Sequence, residues 1–294
     1  MNPISRRNFI TSATLAVAAI PFRNLLSAEA AAAPKTIGGF KVGCQSYTFN
    51  RFSVKEAIEK TAKVGGSYIE FYPGQRFDKD DATKKWGHDS TEDQIKEILD
   101  LCGKHGLTPM NYGVVGVSPK EPEARKVFEF AKKLNLWGIT TESVDAVDTL
   151  EKLAKEYKIH VCYHEHRRQP TNPNYKVWDP QFVMDLVKDR DPLMGACADT
   201  GHWVRSGLNP LDCLKILKGR IHSTHMKDLA TPKHEDRPWG EGESNVEAQF
   251  TELRAQGFVG NVSIEYESKM ENNMEECAKS IEWLKKLAAT KGWS

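Results

Sequence analysis

The chain is short of several things that would have settled its class early. Its six cysteines, Cys44, Cys102, Cys162, Cys197, Cys213 and Cys277, form no C-x-x-C pair, and their spacing suggests no disulfide scaffold. Cys162 and Cys197 lie inside apolar runs and read as small buried hydrophobes. An excess of one charge is missing too: 41 Lys and Arg face 40 Asp and Glu, a formal net charge of +1. A near-neutral chain gives no electrostatic reason to expect a nucleic acid partner. Past the N-terminus no apolar run reaches the roughly 18 residues that span a bilayer, so no membrane partner is expected. Nor does a glycine-rich phosphate turn follow the first strand, where a doubly wound open sheet would carry one. A charged fraction of 28% and a mean hydropathy of −0.54 fit a soluble protein, and a homo-oligomer stays open.

What is present begins with an address. Residues 1–33 read MNPISRRNFITSATLAVAAI…SAEAAAA, with paired Arg6 and Arg7 and a short apolar stretch from Ala13 to Ile20. An alanine-rich region, Ala28 to Ala33, follows. This is similar to a twin-arginine export signal with its cleavage region, so the expected location is periplasmic or otherwise exported. That route carries folded proteins, often already loaded with a metal or cofactor. Residues 34–294 remain for the fold.

From residue 35 onward, short apolar runs alternate with longer amphipathic segments, the α/β pattern. Strands are expected at Phe40–Phe49, Ser67–Tyr72, from Leu107, at Leu136–Ser143, Ile159–His166, around LMGACADT, at Ile221–Asp228 and at Asn261–Ser268. Each is followed by a helical segment. Ser53, Thr91 and Asp179 stand where N-caps belong, Gly65 and Gly106 where helices stop, and Pro180 at a first helical position. Eight strand–helix units in a chain of 294 residues predict a single-domain (β/α)8 TIM barrel.

A barrel of this kind collects its chemistry at the C-terminal ends of its strands. The polar residues where the apolar runs stop are Glu70, Glu142, His164, Glu165, His166, Asp199, His202, His225, Lys227, Asp228, Glu265 and Glu267. Taken singly, a strand-end Glu is a salt-bridged residue and a lone His a hydrogen-bonded one. Four successive strands offering ligand types at one depth point instead to a single divalent metal ion, Mn, Co, Zn or Mg. Glu165 is expected to face away from the cleft, because successive strand side chains alternate.

The segments ADTGHW, HMKD and SIEYE resemble those of the sugar phosphate isomerase/epimerase family, the xylose isomerase-like TIM barrels, across essentially the whole chain after the leader. The resemblance implies one divalent metal held by a Glu, an Asp, a His and a second Glu from strands five to eight. Asp199, His225 and Glu265 match the last three positions, and His202 matches a substrate-contacting histidine. Strand five departs from the pattern: CYHEH puts His164 where the family has Glu, and Glu142 on the neighbouring strand could supply the missing carboxylate. The H-x-H form resembles an exported bacterial subgroup, some of whose relatives process 3-keto-glycosides.

The implied chemistry is metal-assisted proton abstraction beside a sugar carbonyl through an enediolate, with an isomerase, epimerase or lyase outcome. Glu142, His164, His166, His202 and Glu265 are the candidate acids and bases. Lys227 reads either as a cation that stabilises the enediolate oxygens or as the partner of its neighbour Asp228. His166, His202, Trp203, Arg205 and Glu70 are expected to line the sugar cleft, and Tyr47, Phe49, Phe71 and Tyr112 fit sugar stacking. The expected partner is a small sugar or glycoside. A non-catalytic carbohydrate-binding barrel and an abasic-site nuclease are the rival readings; the nuclease calls for more histidines and a basic face.

Overall fold

A computed structural model of the chain describes residues 36–231 and 233–294. The leader proposed for residues 1–33 lies outside them. The first seven strands are β1 (Lys41–Gln45), β2 (Tyr68–Phe71), β3 (Thr108–Tyr112), β4 (Gly138–Thr141), β5 (His160–His164), β6 (Met194–Asp199) and β7 (Ile221–Met226). After them come β8 (Asp228–Ala230), β9 (Glu235–Arg237) and β10 (Asn261–Ile264). The first seven and β10 form a closed parallel barrel, sealed where β1 pairs with β10. The short β8 and β9 pair antiparallel outside it, an excursion the sequence pattern did not suggest.

The barrel strands are shorter than their apolar runs, because polar turn chemistry cuts them off. The first run was expected to continue to Phe49, but the Gln45 side chain accepts from the Tyr47 N–H and starts a 3₁₀ turn over Ser46–Phe49. The helices α1 (Val54–Lys63), α2 (Glu92–Lys104), α3 (Glu121–Lys133), α4 (Val147–Tyr157) and α5 (Pro180–Val187) follow the first five strands. Ser53 and Thr91 close reciprocal capping boxes with Glu56 and Gln94, satisfying amide donors a bare helix start leaves orphaned. After β6 there are two helices where one was expected, α6 (Thr200–Arg205) and α7 (Pro210–Ile216). Asp199 itself caps α6, accepting from the His202 N–H at 2.7 Å. α8 (Val246–Ala255) and α9 (Met274–Lys291) complete the ring. No helix among the described residues is long and apolar enough to cross a membrane.

Alternation along the strands sends two kinds of side chain to two places. Ile69, Phe71, Val161, Tyr163, Ala196, Val262 and Ile264 are all buried in the apolar core. The other set fills the barrel with polar groups. Glu70 accepts from Thr140 Oγ1 at 2.8 Å, Asn261 Nδ2 at 2.9 Å and Ser263 Oγ at 2.9 Å. A buried carboxylate is tolerable only when satisfied in this way. The result is a rigid polar plug beneath the strand ends.

Candidate active site

His164 ends β5, Asp199 ends β6, His225 is the penultimate residue of β7, and Glu265 follows β10 directly. Barrel closure brings these four positions together at the floor of a cleft. One donor atom from each of His164, Asp199, His202 and Glu265 lies within 4.8 Å of all the others, and all four residues are buried. His164 Nε2 is 3.5 Å from Asp199 Oδ2 and His202 Nε2 is 3.8 Å from it. His225 Nδ1 is 3.4 Å from Glu265 Oε2 and 3.8 Å from Asp199 Oδ2.

These spacings suit a shared ion better than direct hydrogen bonds. Metal bonds of about 2.0–2.2 Å to nitrogen and oxygen put neighbouring donors roughly 3–3.5 Å apart. His164 Nε2 and His225 Nδ1 are buried and have no hydrogen-bond partner among the described residues. Buried nitrogens aimed at carboxylates without bonding them fit a divalent ion, and this group could hold one. Glu142 stands outside it. Its Oε1 takes the His164 Nδ1 hydrogen at 2.8 Å and its Oε2 that of Tyr175 at 2.7 Å. The carboxylate therefore fixes the imidazole and turns Nε2 toward the cluster, as carboxylates do behind metal-bound histidines. Glu70 lies below His225, its Oε2 3.2 Å from Nε2, close enough to pair with a charged ring but without completing a hydrogen bond.

Lys227 sets one positive charge among the carboxylates of the site. Its ammonium is fully buried, 2.8 Å from Asp199 Oδ2, 2.5 Å from Glu265 Oε2 and 3.1 Å from Glu267 Oε2. Lys227 does not pair with its neighbour Asp228, as one reading of the sequence had it. Asp228 instead accepts the backbone N–H groups of Gly240, Gly242 and Ser244 at 2.9–3.0 Å and ties down the loop after β9. The glycine of ADTGHW makes room for the lysine: a Cβ on Gly201 would fall 2.6 Å from Lys227 Cδ. Burial works against every charge here, yet the pairing outweighs it. The carboxylates hold Lys227 well above its ordinary range, and the Lys227 ammonium, against the effect of burial, holds Asp199 well below its own. Glu265 is held down to about 2, chiefly by Lys227 and His225 against the effect of burial.

Above this floor is a cavity of about 220 Å³. Gln45, Tyr47, Tyr72, Pro73, Gly113 and Val114 line one side; Glu142, His164, His166, His202, Glu265 and Glu267 line the other. His166 makes no hydrogen bond among the described residues and packs its ring 4.1 Å from that of His202. Burial and the neighbouring His164 both lower its pKa, and burial pushes His202 far below its usual range. Both rings are therefore neutral near pH 7.

Three residues expected to line the cleft do not. Trp203 is fully buried, because α6 rotates it from the cleft into the core one position after His202. Arg205 is engaged elsewhere, with Nη1 on Glu267 Oε2 at 2.6 Å and Nη2 at 3.4 Å from Asp236 Oδ2. Glu70 lies below the floor in the polar plug. Of the aromatic strand ends, Phe49, Phe71 and Tyr112 are buried, whereas Tyr47 meets Tyr72 edge to face at 5.1 Å in the cleft wall. Glu165 does face away from the cavity. It is fully buried, neither it nor the facing Trp203 indole completes a hydrogen bond, and burial raises its carboxyl well above the usual range.

Tyr72 and Tyr175 were passed over in the sequence, and Glu267, named there among the strand-end residues, was given no role. Only Glu267 left a signal there, since it stands two positions after Glu265 and so on the same side of an extended segment.

The sequence matches the xylose isomerase-like TIM barrel family over residues 49–287. It is 36% identical over 86 residues to an inosose dehydratase of Bacillus cereus (strain AH820), a match covering 29% of this chain and 27% of that protein. The matched stretch thus spans about a quarter of that curated relative. Among solved structures, an uncharacterised protein of Parabacteroides distasonis ATCC 8503 superposes with a TM-score of 0.67 at 34% identity, covering 84% of this chain and 99% of that one. A D-tagatose 3-epimerase-like protein has the same fold at 19% identity, with a TM-score of 0.67, over 86% of this chain and 98% of its own. With the family matched along most of its length and the barrel closed as that family requires, the chain belongs to the xylose isomerase-like TIM barrels.

Proposed function

We propose that the protein is a divalent-metal-dependent enzyme that removes a proton beside the carbonyl of a sugar, in the manner of a sugar isomerase or epimerase. One observation carries this reading: a buried His164–Asp199–His202–Glu265 group at the floor of a sugar-sized cavity, at the strand ends where barrel enzymes work. His164, Asp199, His225 and Glu265 would hold the ion, with His202 turned between ion and sugar. A bound ion supplies Lewis acidity that polarises a carbonyl and acidifies the neighbouring C–H.

The chain's own groups divide the remaining work. His166 is the base: it lines the cavity, is neutral and has no competing hydrogen bond. Lys227 Nζ keeps Asp199 and Glu265 ionised and converged. Glu142 and Tyr175 lock the His164 ring. Tyr47 and Tyr72 offer apolar faces to a sugar ring. No Arg or Lys lines the cavity among the described residues, which argues against a phosphate in it. This agrees with the proposed export, since free sugars and glycosides, not sugar phosphates, are what an exported enzyme meets.

The similarity to an inosose dehydratase favours a second outcome from the same first step, in which a group β to the carbonyl leaves as in a 3-keto-glycoside lyase or hydratase. One experiment tests both. Metal-loaded protein is incubated in D₂O with a panel of keto-sugars and 3-keto-glycosides and followed by NMR. Deuterium beside the carbonyl marks the shared step, a new C=C or a released alcohol marks elimination, and Glu265→Gln abolishes both. If the protein binds metal and sugar without exchange, it is a binding barrel; if only sugar phosphates turn over, the substrate reading fails.

A further inference from the structure

Three carboxylates line the cleft, Glu142, Glu265 and Glu267, and two of them are committed. Glu142 gives one oxygen to His164 and the other to Tyr175. Glu265 belongs to the buried group with His164, Asp199 and His202. Glu267 is different. Its Oε2 takes Arg205 Nη1 at 2.6 Å and Lys227 Nζ at 3.1 Å. Its Oε1 has no hydrogen bond among the described residues, and the side chain, 26% exposed, lines the cavity.

The backbone around Glu267 is held on both sides. The Tyr266 N–H donates to Thr48 Oγ1 at 3.1 Å, and the Tyr266 carbonyl accepts from Asn273 Nδ2 at 3.3 Å. The Tyr266 hydroxyl donates to the Asp236 carbonyl at 2.9 Å, and Ser268 Oγ bonds Asp236 Oδ2 at 3.0 Å. Alternation along this segment sends Tyr266 and Ser268 to their anchors and Glu267 to the cleft. A carboxylate with one oxygen clamped by two cations, on an anchored backbone, is in place before a ligand arrives, so little ordering opposes use of the other oxygen.

The charges decide what that oxygen can take. An anion is repelled, and an ammonium gains little from a carboxylate already balanced by Arg205 and Lys227. A neutral hydroxyl fits, donating a charge-assisted hydrogen bond. Glu267 follows β10, which pairs with β1 and lies three places around the ring from β5. His166, the proposed base, follows β5, so the two groups meet different positions of a bound sugar.

From this we infer that Glu267 selects the substrate: its Oε1 accepts one sugar hydroxyl, at a position other than the one His166 deprotonates. The inference rests on the sugar-enzyme reading and narrows its substrate class to sugars with that hydroxyl free. Sugars that lack it, or carry an amine or acid there, are rejected.

The test is calorimetric titration of metal-loaded wild type and Glu267→Ala. The probes are D-fructose and methyl 3-keto-β-D-glucopyranoside, each with its monodeoxy analogues and the amino analogue at the discriminating position. In the wild type one monodeoxy analogue is expected to bind about 10- to 100-fold more weakly than its parent, the range of a hydrogen bond to a charged group. In Glu267→Ala that ratio should fall to about twofold or less, while the ratios for the other analogues stay as they were. Absence of any such analogue in the wild type, or ratios that are equal in the two proteins, as a purely structural role would give, overturns the inference. So does an amino analogue that binds the wild type more tightly than its parent. If Glu267→Ala does not fold, Glu267→Gln keeps the shape without the charge and should bring the ratio to about threefold or less; an undiminished ratio there overturns the inference. Failure of every parent and analogue to bind the wild type brings down the sugar-enzyme reading itself, whereas sugar binding with unchanged ratios removes only the role of Glu267.

Discussion

The two halves of the barrel mouth differ in kind. From β1 to β3 the cleft is lined by Gln45, Tyr47, Tyr72, Pro73, Gly113 and Val114, without an ionised group. From β5 around to β10 nearly every strand end is titratable, and the charges are buried against one another: His164, Asp199, His225, Lys227 and Glu265. Glu142, after β4, marks the border and serves the second half. One half gives shape and apolar contact; the other holds charge in a low-dielectric place, where each group survives only through its partners. The chemistry is confined to half of the ring, and the remaining half is free to follow the substrate.

Substitutions on the two sides should differ accordingly. The largest effect is expected from Asp199→Asn, which removes the charge of a proposed ligand and of the lysine's partner while its amide oxygen can still cap α6; metal binding by calorimetry and turnover should both vanish. Next is His166→Ala, which should lower turnover by about 10²–10⁴-fold while metal affinity stays within about threefold, read from kinetics and titration on one preparation. Loss of metal affinity there would make His166 a ligand and weaken its role as base. Lys227→Met strips a buried cation from two carboxylates and should destabilise the metal-free protein by about 3–5 kcal/mol in urea unfolding. Bound metal should recover much of that loss, because a divalent cation offsets the same charges; an equal loss with and without metal would separate Lys227 from the metal group. The smallest effect belongs to the neutral half. Tyr47→Ala should raise KM about tenfold, roughly 1.4 kcal/mol of binding, and leave kcat within about twofold. A large drop in kcat there would break the division of the mouth into two halves.

Much of this was legible in the residues. Eight strand–helix units were visible because an inward–outward period of two and a helical period near 3.6 leave different apolar spacings. The strand ends rich in His and carboxylate named the working half. What was misjudged was local partner choice. Lys227 stands beside Asp228 in sequence, yet its partners are 28, 38 and 40 positions away at Asp199, Glu265 and Glu267. Trp203 and Arg205 looked like a loop rim until a one-and-a-half-turn helix rotated one inward and aimed the other at Glu267. The β8–β9 excursion left no alternating run long enough to detect.

By itself the sequence determined the fold class, the face of the barrel where the chemistry sits and the residue types that gather there, because periodicity and strand polarity are local properties. Only the tertiary structure decided which carboxylate meets which cation, that Glu142 braces His164 instead of joining the His164–Asp199–His202–Glu265 group, and that Glu70 lies beneath the floor. Those choices depend on distances through space across a closed ring, and closure sets residues tens of positions apart within a few ångströms of each other.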